Sequence, residues 1–299
     1  MTKIIDCITY FNEPLLFELR LNILNEFVDE FIVCEATYTH KGLKKEINFD
    51  KKIFNNFKDK IKHVIVETYP SDLEKIDEKN KSNNIIYRMN AAKRIRHQRN
   101  EIVKVLSSND PNDWIIYSDS DEIPNLKNFD LKKCKNKIVL FNQLLTYYKF
   151  NLSLSGYEWF GSKACRLKNL SSIDTLRNIK TKKYPWWRID TVFKKDKFID
   201  MKIVNKGGWH FTEIKSPKDI YLKHKNDEHH DEFDLTGITE NDIEDMVKNN
   251  YIPYDHKADK RDLANKWNKN IKVQLTKISD DNLPKYLIEN KNKYSKWFE

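Results

Sequence analysis

Glycine and proline are scarce in this chain of 299 residues, 6 and 8 respectively. Flexible linkers, collagen-like segments and low-complexity tracts need far more of both, so those classes are excluded. Cysteine is rarer still. Cys7, Cys34, Cys134 and Cys165 lie far apart and form no C-x-x-C pair, which speaks against a zinc site or a redox dithiol. Reduced, cytoplasm-like conditions fit them best, and Cys7 and Cys34 fall inside apolar runs where a free thiol behaves as a small hydrophobe. No apolar run approaches the length of a membrane span, and the first strand begins too early to leave room for a signal peptide. A soluble, cytoplasmic protein is expected. The net charge of +9 comes without a basic run, an RNA-binding signature or zinc-finger spacing. It favours anionic ligands in general, and nucleic acid is not an expected partner.

Aromatic residues, by contrast, make up 12% of the chain, and the length suits one large α/β domain with a smaller helical appendage. The stretch that organises the rest is Trp114-Ile115-Ile116-Tyr117-Ser118-Asp119-Ser120-Asp121-Glu122-Ile123-Pro124. Its apolar start predicts a strand buried on both faces, and Pro124 is expected to stop it. Ligands of open α/β sheets gather at the carboxyl ends of strands. Acids crowded there repel one another and lose hydration, which a divalent cation relieves. Carboxylate oxygens suit Mg²⁺ or Mn²⁺, and side-chain alternation would point Asp119 and Asp121 the same way, as a claw for one ion. The plainer reading is an acidic turn after a core strand.

Ile4 to Ile8 predicts a first strand, leading to Asn12-Glu13-Pro14 at a helix start, with Asn12 as a possible cap. Leu16, Leu19, Ile23 and Phe27 recur at helical spacing, and Phe31 to Cys34 predicts a second strand ending in Glu35. This βαβ unit brings Asn12, Glu13 and Glu35 to the same edge as the acids. A third strand is expected at His63 to Glu67, then a polar loop over 71–84, then a helix from about Ile85 to Leu106. Arg99 sits in the apolar stripe of that helix and Arg96 at its edge. An inward-facing arginine needs an anion, either a protein carboxylate or a phosphate, and both choices put positive charge near Asp119.

Strands are further expected at Lys137 to Phe141 and Thr146 to Phe150. Trp159, Trp186, Trp187 and Trp209 are candidates to line an acceptor pocket, because aromatic rings bury much area at small entropic cost. Gly207-Gly208 permits close backbone approach, and His210 after it is a candidate third metal ligand. Ser216-Pro217 reads as a helix start. The composition changes near Asn226, so we expect a catalytic domain over 1–225 and a helical extension over 226–299, with helices near Thr239 to Asn249 and Arg261 to Ile278.

The assembled blocks resemble glycosyltransferase family 17, which contains the β-1,4-N-acetylglucosaminyltransferase that bisects N-glycans. They are Val28-Asp29-Glu30-Phe31-Ile32-Val33-Cys34-Glu35-Ala36 with Thr39 and Gly42; Gln98-Arg99-Asn100; Asp119-Ser120-Asp121-Glu122-Ile123-Pro124; and Gly208-Trp209-His210 with Ser216-Pro217 and Ile220-Tyr221. Their order and spacing agree over roughly residues 4 to 250. The resemblance implies a GT-A fold (α/β, Rossmann-like), a nucleotide-sugar donor such as UDP-N-acetylglucosamine, a carbohydrate acceptor, a divalent metal and inversion at the sugar carbon. It makes Asp119 and Asp121 the metal and donor motif, with His210 on the metal. It places Asn12, Glu13 and Glu35 by the nucleoside and Arg99, with Arg96, near the diphosphate.

Inversion needs a carboxylate to take the acceptor's proton, and Glu213, Asp190 and Glu158 are the candidates in that order. Two other classes stand beside the transferase. One is a catalytically inactive nucleotide-sugar-binding protein of the same fold, and the other a basic nucleic-acid-binding protein.

Overall fold

The computed structural model describes residues 2–76, 83–181, 200–227, 230–256 and 270–299. Its main sheet is seven-stranded among the described residues, built from β1 (Ile4–Thr9), β2 (Glu30–Ala36), β3 (Ile61–Val66), β4 (Trp114–Asp119), β6 (Ile138–Phe141), β9 (Lys163–Arg166) and β10 (Met201–Val204). The spatial order is β10-β6-β9-β4-β1-β2-β3. β1 pairs in parallel with both β2 and β4, and β2 with β3, whereas β9 runs antiparallel between β4 and β6. The chain builds outward from β1 to β3, then returns through a helix to place β4 on the other side of β1. That reversal opens a crevice at the carboxyl ends of β1 and β4, where ligands of such sheets bind.

Period-two alternation decides which helix each strand residue meets. Ile4, Ile8, Phe31, Val33, Trp114 and Ile116 share one cluster with Leu16, Phe17 and Leu19 of α1 (Pro14–Leu24). Ile5, Cys7, Ile32, Cys34, Ile115 and Tyr117 face the opposite way. They meet Ile102 and Leu106 of α2 (Asn83–Leu106) and Ile173 and Leu176 of α3 (Ile173–Asn178). By the same parity Asp119 follows Ile115 and Tyr117 toward α2 and α3. The predicted first helix forms, but Asn12 does not cap it; Glu13 takes the cap position, without a side-chain cap bond.

A second sheet has the order β14-β8-β7-β11-β5. It comprises β5 (Glu122–Pro124), β7 (Leu144–Tyr147), β8 (Leu152–Ser153), β11 (Gly208–Thr212) and β14 (Thr276–Lys277). The expectation that Pro124 ends the first strand is corrected here. β4 has already ended at Asp119, and Pro124 lies in β5, an edge strand, where a missing N–H costs no ladder bond. Gly208 pairs with Pro124 at φ +138°, and a Cβ there would stand 2.1 Å from the Ile123 carbonyl oxygen. Glycine is therefore what lets β11 lie against the acidic turn.

Three further helices follow: α4 (Pro217–Asn226), α5 (His230–Thr236) and α6 (Glu240–Lys248). α4 is capped by Ser216, whose side chain accepts from the Asp219 N–H, as the sequence leads one to expect. Of the helix expected over 261–278, residues 261–269 lie outside those described. The rest contains two short strands, β13 (Val273–Gln274), which pairs with β12 (Tyr251–Ile252), and β14. α7 (Lys285–Glu289) and the segment after it return to the core, where Leu283, Leu287 and Tyr294 are buried with α1. No described helix is long and apolar enough to cross a membrane.

Candidate active site

A cavity of about 530 Å³ lies at the crevice, with Thr9 and Tyr10 from the end of β1 and Asp119, Ser120, Asp121 and Glu122 from the end of β4 on its wall. Glu122 is the hub of the acidic turn and is completely buried. Its Oε2 accepts from the Asp119 N–H at 2.9 Å, and its Oε1 accepts from Trp159 Nε1 at 2.8 Å and Arg177 Nη2 at 2.9 Å. Gly161 makes room for this: a Cβ there would fall 2.2 Å from the Glu122 carboxylate. From behind, the buried Arg20 donates to the Glu122 carbonyl and to both carboxylate oxygens of Asp6. The turn is thus held rigidly from two sides.

Asp119 meets two arginines, as its parity requires. Arg177 Nη2 reaches Asp119 Oδ2 at 2.5 Å and Arg99 Nη2 reaches Oδ1 at 3.4 Å, while Tyr117 OH donates to Oδ1 at 3.2 Å. Burial would raise this carboxyl, but the guanidiniums of Arg177 and Arg99 outweigh it and hold Asp119 below the usual carboxylate range. The motif Gln98-Arg99-Asn100 divides its labour over one helical turn. Gln98 Nε2 donates to the Cys34 carbonyl, Arg99 faces Asp119, and Asn100 Oδ1 accepts from the Asp174 N–H of α3. Lys163 donates to the Arg177 and Ile179 carbonyls, which ties down the end of α3 that carries Arg177.

Asp121 turns elsewhere. His210 Nε2 stands 3.4 Å from its Oδ1 and Lys223 Nζ 3.6 Å from its Oδ2. Burial again works upward, but His210 and Lys223 leave Asp121 well below the ordinary carboxylate range. Asp119 and Asp121 both line the cavity, each with its own cations. β4 ends at Asp119, so strand alternation no longer relates the two side chains. Trp159 lies over His210 with ring centroids 4.6 Å apart, and among the described residues the buried His210 Nδ1 has no hydrogen-bond partner.

The third acid group lies along α4. Glu213, at φ +57° and 6% exposed, holds His224 Nε2 at 2.8 Å, and Asp227 Oδ2 is 3.5 Å from His224 Nδ1. Burial alone would lower His224, yet Glu213 and Asp227 raise it to about 9. Because the folded value exceeds the unfolded one of about 6.5, the stabilisation from this proton is complete below that pH and fades as pH rises through about 9. Melting curves from pH 6 to 10 are expected to show that decline in the wild type and a flatter course in His224→Gln. A wild type with no decline over that window contradicts the pairing.

The family model of Glycosyltransferase family 17 matches residues 1–298. The chain belongs to glycosyltransferase family 17. No curated protein matches it closely enough to count as a relative. Several solved structures match it weakly. HddC from Yersinia pseudotuberculosis is 10% identical at a TM-score of 0.33, covering 74% of this chain and 97% of its own. The inositol-1-phosphate CTP transferase from T. maritima is 12% identical at 0.34, covering 73% and 91%. The galactosyltransferase LgtC, in complex with donor and acceptor sugar analogs, is 14% identical at 0.29, covering 55% and 58%. Family membership and the sheet topology bear out the α/β, GT-A-type fold.

Of the residues singled out in the sequence, this family 17 chain brings Glu13, Arg99, Asp119, Asp121, Trp159 and His210 to the cavity wall. Others go elsewhere. Glu35 is completely buried, and its carboxylate accepts from Lys45 and from the Asn48 and Phe49 N–H groups, so it shapes a loop below the cavity. Asn12 is exposed and gives its carbonyl to Lys215. Arg96 points outward to Asp72 at 2.9 Å. Trp209 alternates with His210 along β11 and so faces the core, donating to the Asn282 carbonyl. Glu158 accepts from Asn142 Nδ2 at the surface. Asp190, Trp186 and Trp187 lie outside the described residues. Sequence reading missed Arg20, Arg177, Lys223 and Asp227. Arg20 alone left a signal, as a charge among the apolar residues of α1.

Proposed function

We propose that this protein is a metal-assisted, inverting glycosyltransferase that moves a sugar, N-acetylglucosamine by the family resemblance, from a UDP-sugar to a carbohydrate hydroxyl. The observation that carries the reading is the convergence of Asp121 and His210 beside the Arg99–Asp119–Arg177 cluster, at the crevice between β1 and β4. The wall toward β2 carries Phe11, Ala36, Tyr38 and Ile95, an apolar and aromatic lining that suits a nucleobase. A diphosphate extending from there would meet Arg99 and Arg177.

The residues present fit a divalent ion as part of a larger coordination sphere. Asp121 offers oxygen and His210 an imidazole nitrogen, a donor pair that suits Mn²⁺ or Mg²⁺ with substrate phosphates completing the set. Among the described residues no group of three or more His, Cys, Asp or Glu side chains could hold an ion alone, so the sphere depends on the donor. When bound, such an ion supplies Lewis-acid stabilisation of the diphosphate. Asp119, committed to its arginines, orients them rather than coordinating. Trp159 offers the acceptor sugar a ring beside the reacting centre. For the base we assign Asp227, which lies on the cavity wall, with Glu213 behind it on the far nitrogen of His224.

Thermal unfolding with UDP- and GDP-sugars and Mn²⁺ tests the reading. A donor at a hundred times its dissociation constant is expected to add about 2.7 kcal/mol, with Mn²⁺ required and Asp121→Ala abolishing the gain. If no sugar nucleotide shifts the transition in any metal, the donor site is misread and an interaction role on this fold takes its place.

A further inference from the structure

The cavity contains one cation that the scheme above leaves unused. Lys223 projects from α4 onto the cavity wall, 3.6 Å from Asp121 Oδ2. That contact exceeds hydrogen-bond length, and among the described residues the ammonium makes no hydrogen bond. The facing acids are Asp121, Glu213, Glu13 and Asp227, and the facing bases are His210 and His224. Glu213 is satisfied by His224, and Glu13 by Lys215 at 3.0 Å. An ammonium has three donors, and the Lys223 side chain keeps 28% exposure, so they are open to a ligand in the cavity. The arginines differ in this respect, since both are already bound to Asp119.

We infer that the Lys223 ammonium is a second, protein-borne cation for the donor's diphosphate, set beside Asp121 to take up leaving-group charge. The inference rests on the donor-site reading above. In the transfer, the bond from the anomeric carbon to the diphosphate oxygen breaks and its electron pair leaves on that oxygen. The acceptor oxygen forms the new bond to the same carbon, and its proton passes to a carboxylate. Negative charge therefore grows on the terminal phosphate alone. A compact ammonium is suited to that point charge, and its reach from α4 brings it to Asp121 Oδ2, whereas Arg177 is held on Asp119.

The test is calorimetric titration of UDP, uridine and inorganic diphosphate into the full chain, with Mn²⁺ and again in chelator, for the wild type, Lys223→Met and Lys223→Arg. Lys223→Met is expected to weaken UDP and diphosphate by about tenfold or more, the size of a hydrogen bond to a charged group. Uridine binding should stay unchanged, the loss should persist in chelator, and Lys223→Arg should recover most of it. The unchanged uridine affinity serves as the check on folding. Equal losses for UDP and uridine, or no loss for UDP, overturn the role of Lys223 while leaving the donor site standing. A wild type that binds none of the three overturns both.

Discussion

Turnover of an Asp227→Asn variant is expected to fall by about 10²–10⁴-fold, the contribution of a positioned general base, with donor affinity unchanged. The assignment follows from place, since Asp227 lines the cavity with Lys223 and Asn226 of α4, whereas the other carboxylates of that wall hold the site together. Glu13 accepts from the Phe11 and Asn12 N–H groups and from Lys215. Asp119 and Glu122 share Arg177, and Asp121 belongs with His210 and Lys223. Asp227, at the end of α4, keeps a quarter of its side chain exposed and touches His224 at 3.5 Å. His224 is held from its other nitrogen by Glu213, so a chain of Glu213, His224 and Asp227 leads from the core to the cavity.

Glu213→Gln should therefore act through His224, with a smaller loss of turnover and a displaced acid limb in the pH–rate profile. Three outcomes separate the possibilities. A larger loss in Asp227→Asn than in Glu213→Gln supports the assignment. Retained turnover in Asp227→Asn with loss in Glu213→Gln makes Glu213 the base. Loss confined to Asp190→Asn moves the base to the segment around that residue.

The location of this site was legible from the sequence, and its wiring only partly so. An apolar tetrapeptide running into acids marks a strand end, and the βαβ reading put Glu13 on the same edge. Arg99 could be placed because a charge inside an apolar helical stripe has to meet an anion. Arg177 could not, since α3 is a six-residue helix that lies 58 positions beyond Asp119 and carries no periodic stripe. Lys223 and Asp227 were hidden for another reason. Their local sequence reads as a polar helix end, and only the fold brings that end to the cavity.

The exchange of Trp209 for His210 shows how much rests on one residue of register. On a strand, neighbouring positions face opposite ways, so the pairing of His210 with Glu122 sends the histidine to the cavity and the tryptophan to the core. Composition cannot tell those two outcomes apart. The separate partners of Asp119 and Asp121 come from where the strand ends.

Arg20→Ala is expected to destabilise the fold by about 3–5 kcal/mol, the cost of leaving a buried charge without its partner. Both side chains are sealed from solvent, at 0% and 1% exposure, and the guanidinium spans three elements. Two of its nitrogens clasp Asp6 of β1 at 2.6 Å and the third reaches the Glu122 carbonyl of β5, while its backbone belongs to α1. Removal strands the Asp6 carboxylate among Ile4, Ile8 and Leu16 and also frees the acidic turn from behind. The urea midpoint should drop with little change in slope, which marks a loss of stability rather than of compactness.

Arg20→Met with Asp6→Leu should recover much of the stability, because replacing a whole buried pair by apolar groups costs far less than breaking it. The double variant still lacks the bond to the Glu122 carbonyl. It is therefore expected to fold well and yet bind donor more weakly than the wild type, a separation of stability from site geometry. Arg20→Ala within about 1 kcal/mol of the wild type, the range of a surface ion pair, would mean that the pair is solvated and that the turn is held by Glu122 and Arg177 alone.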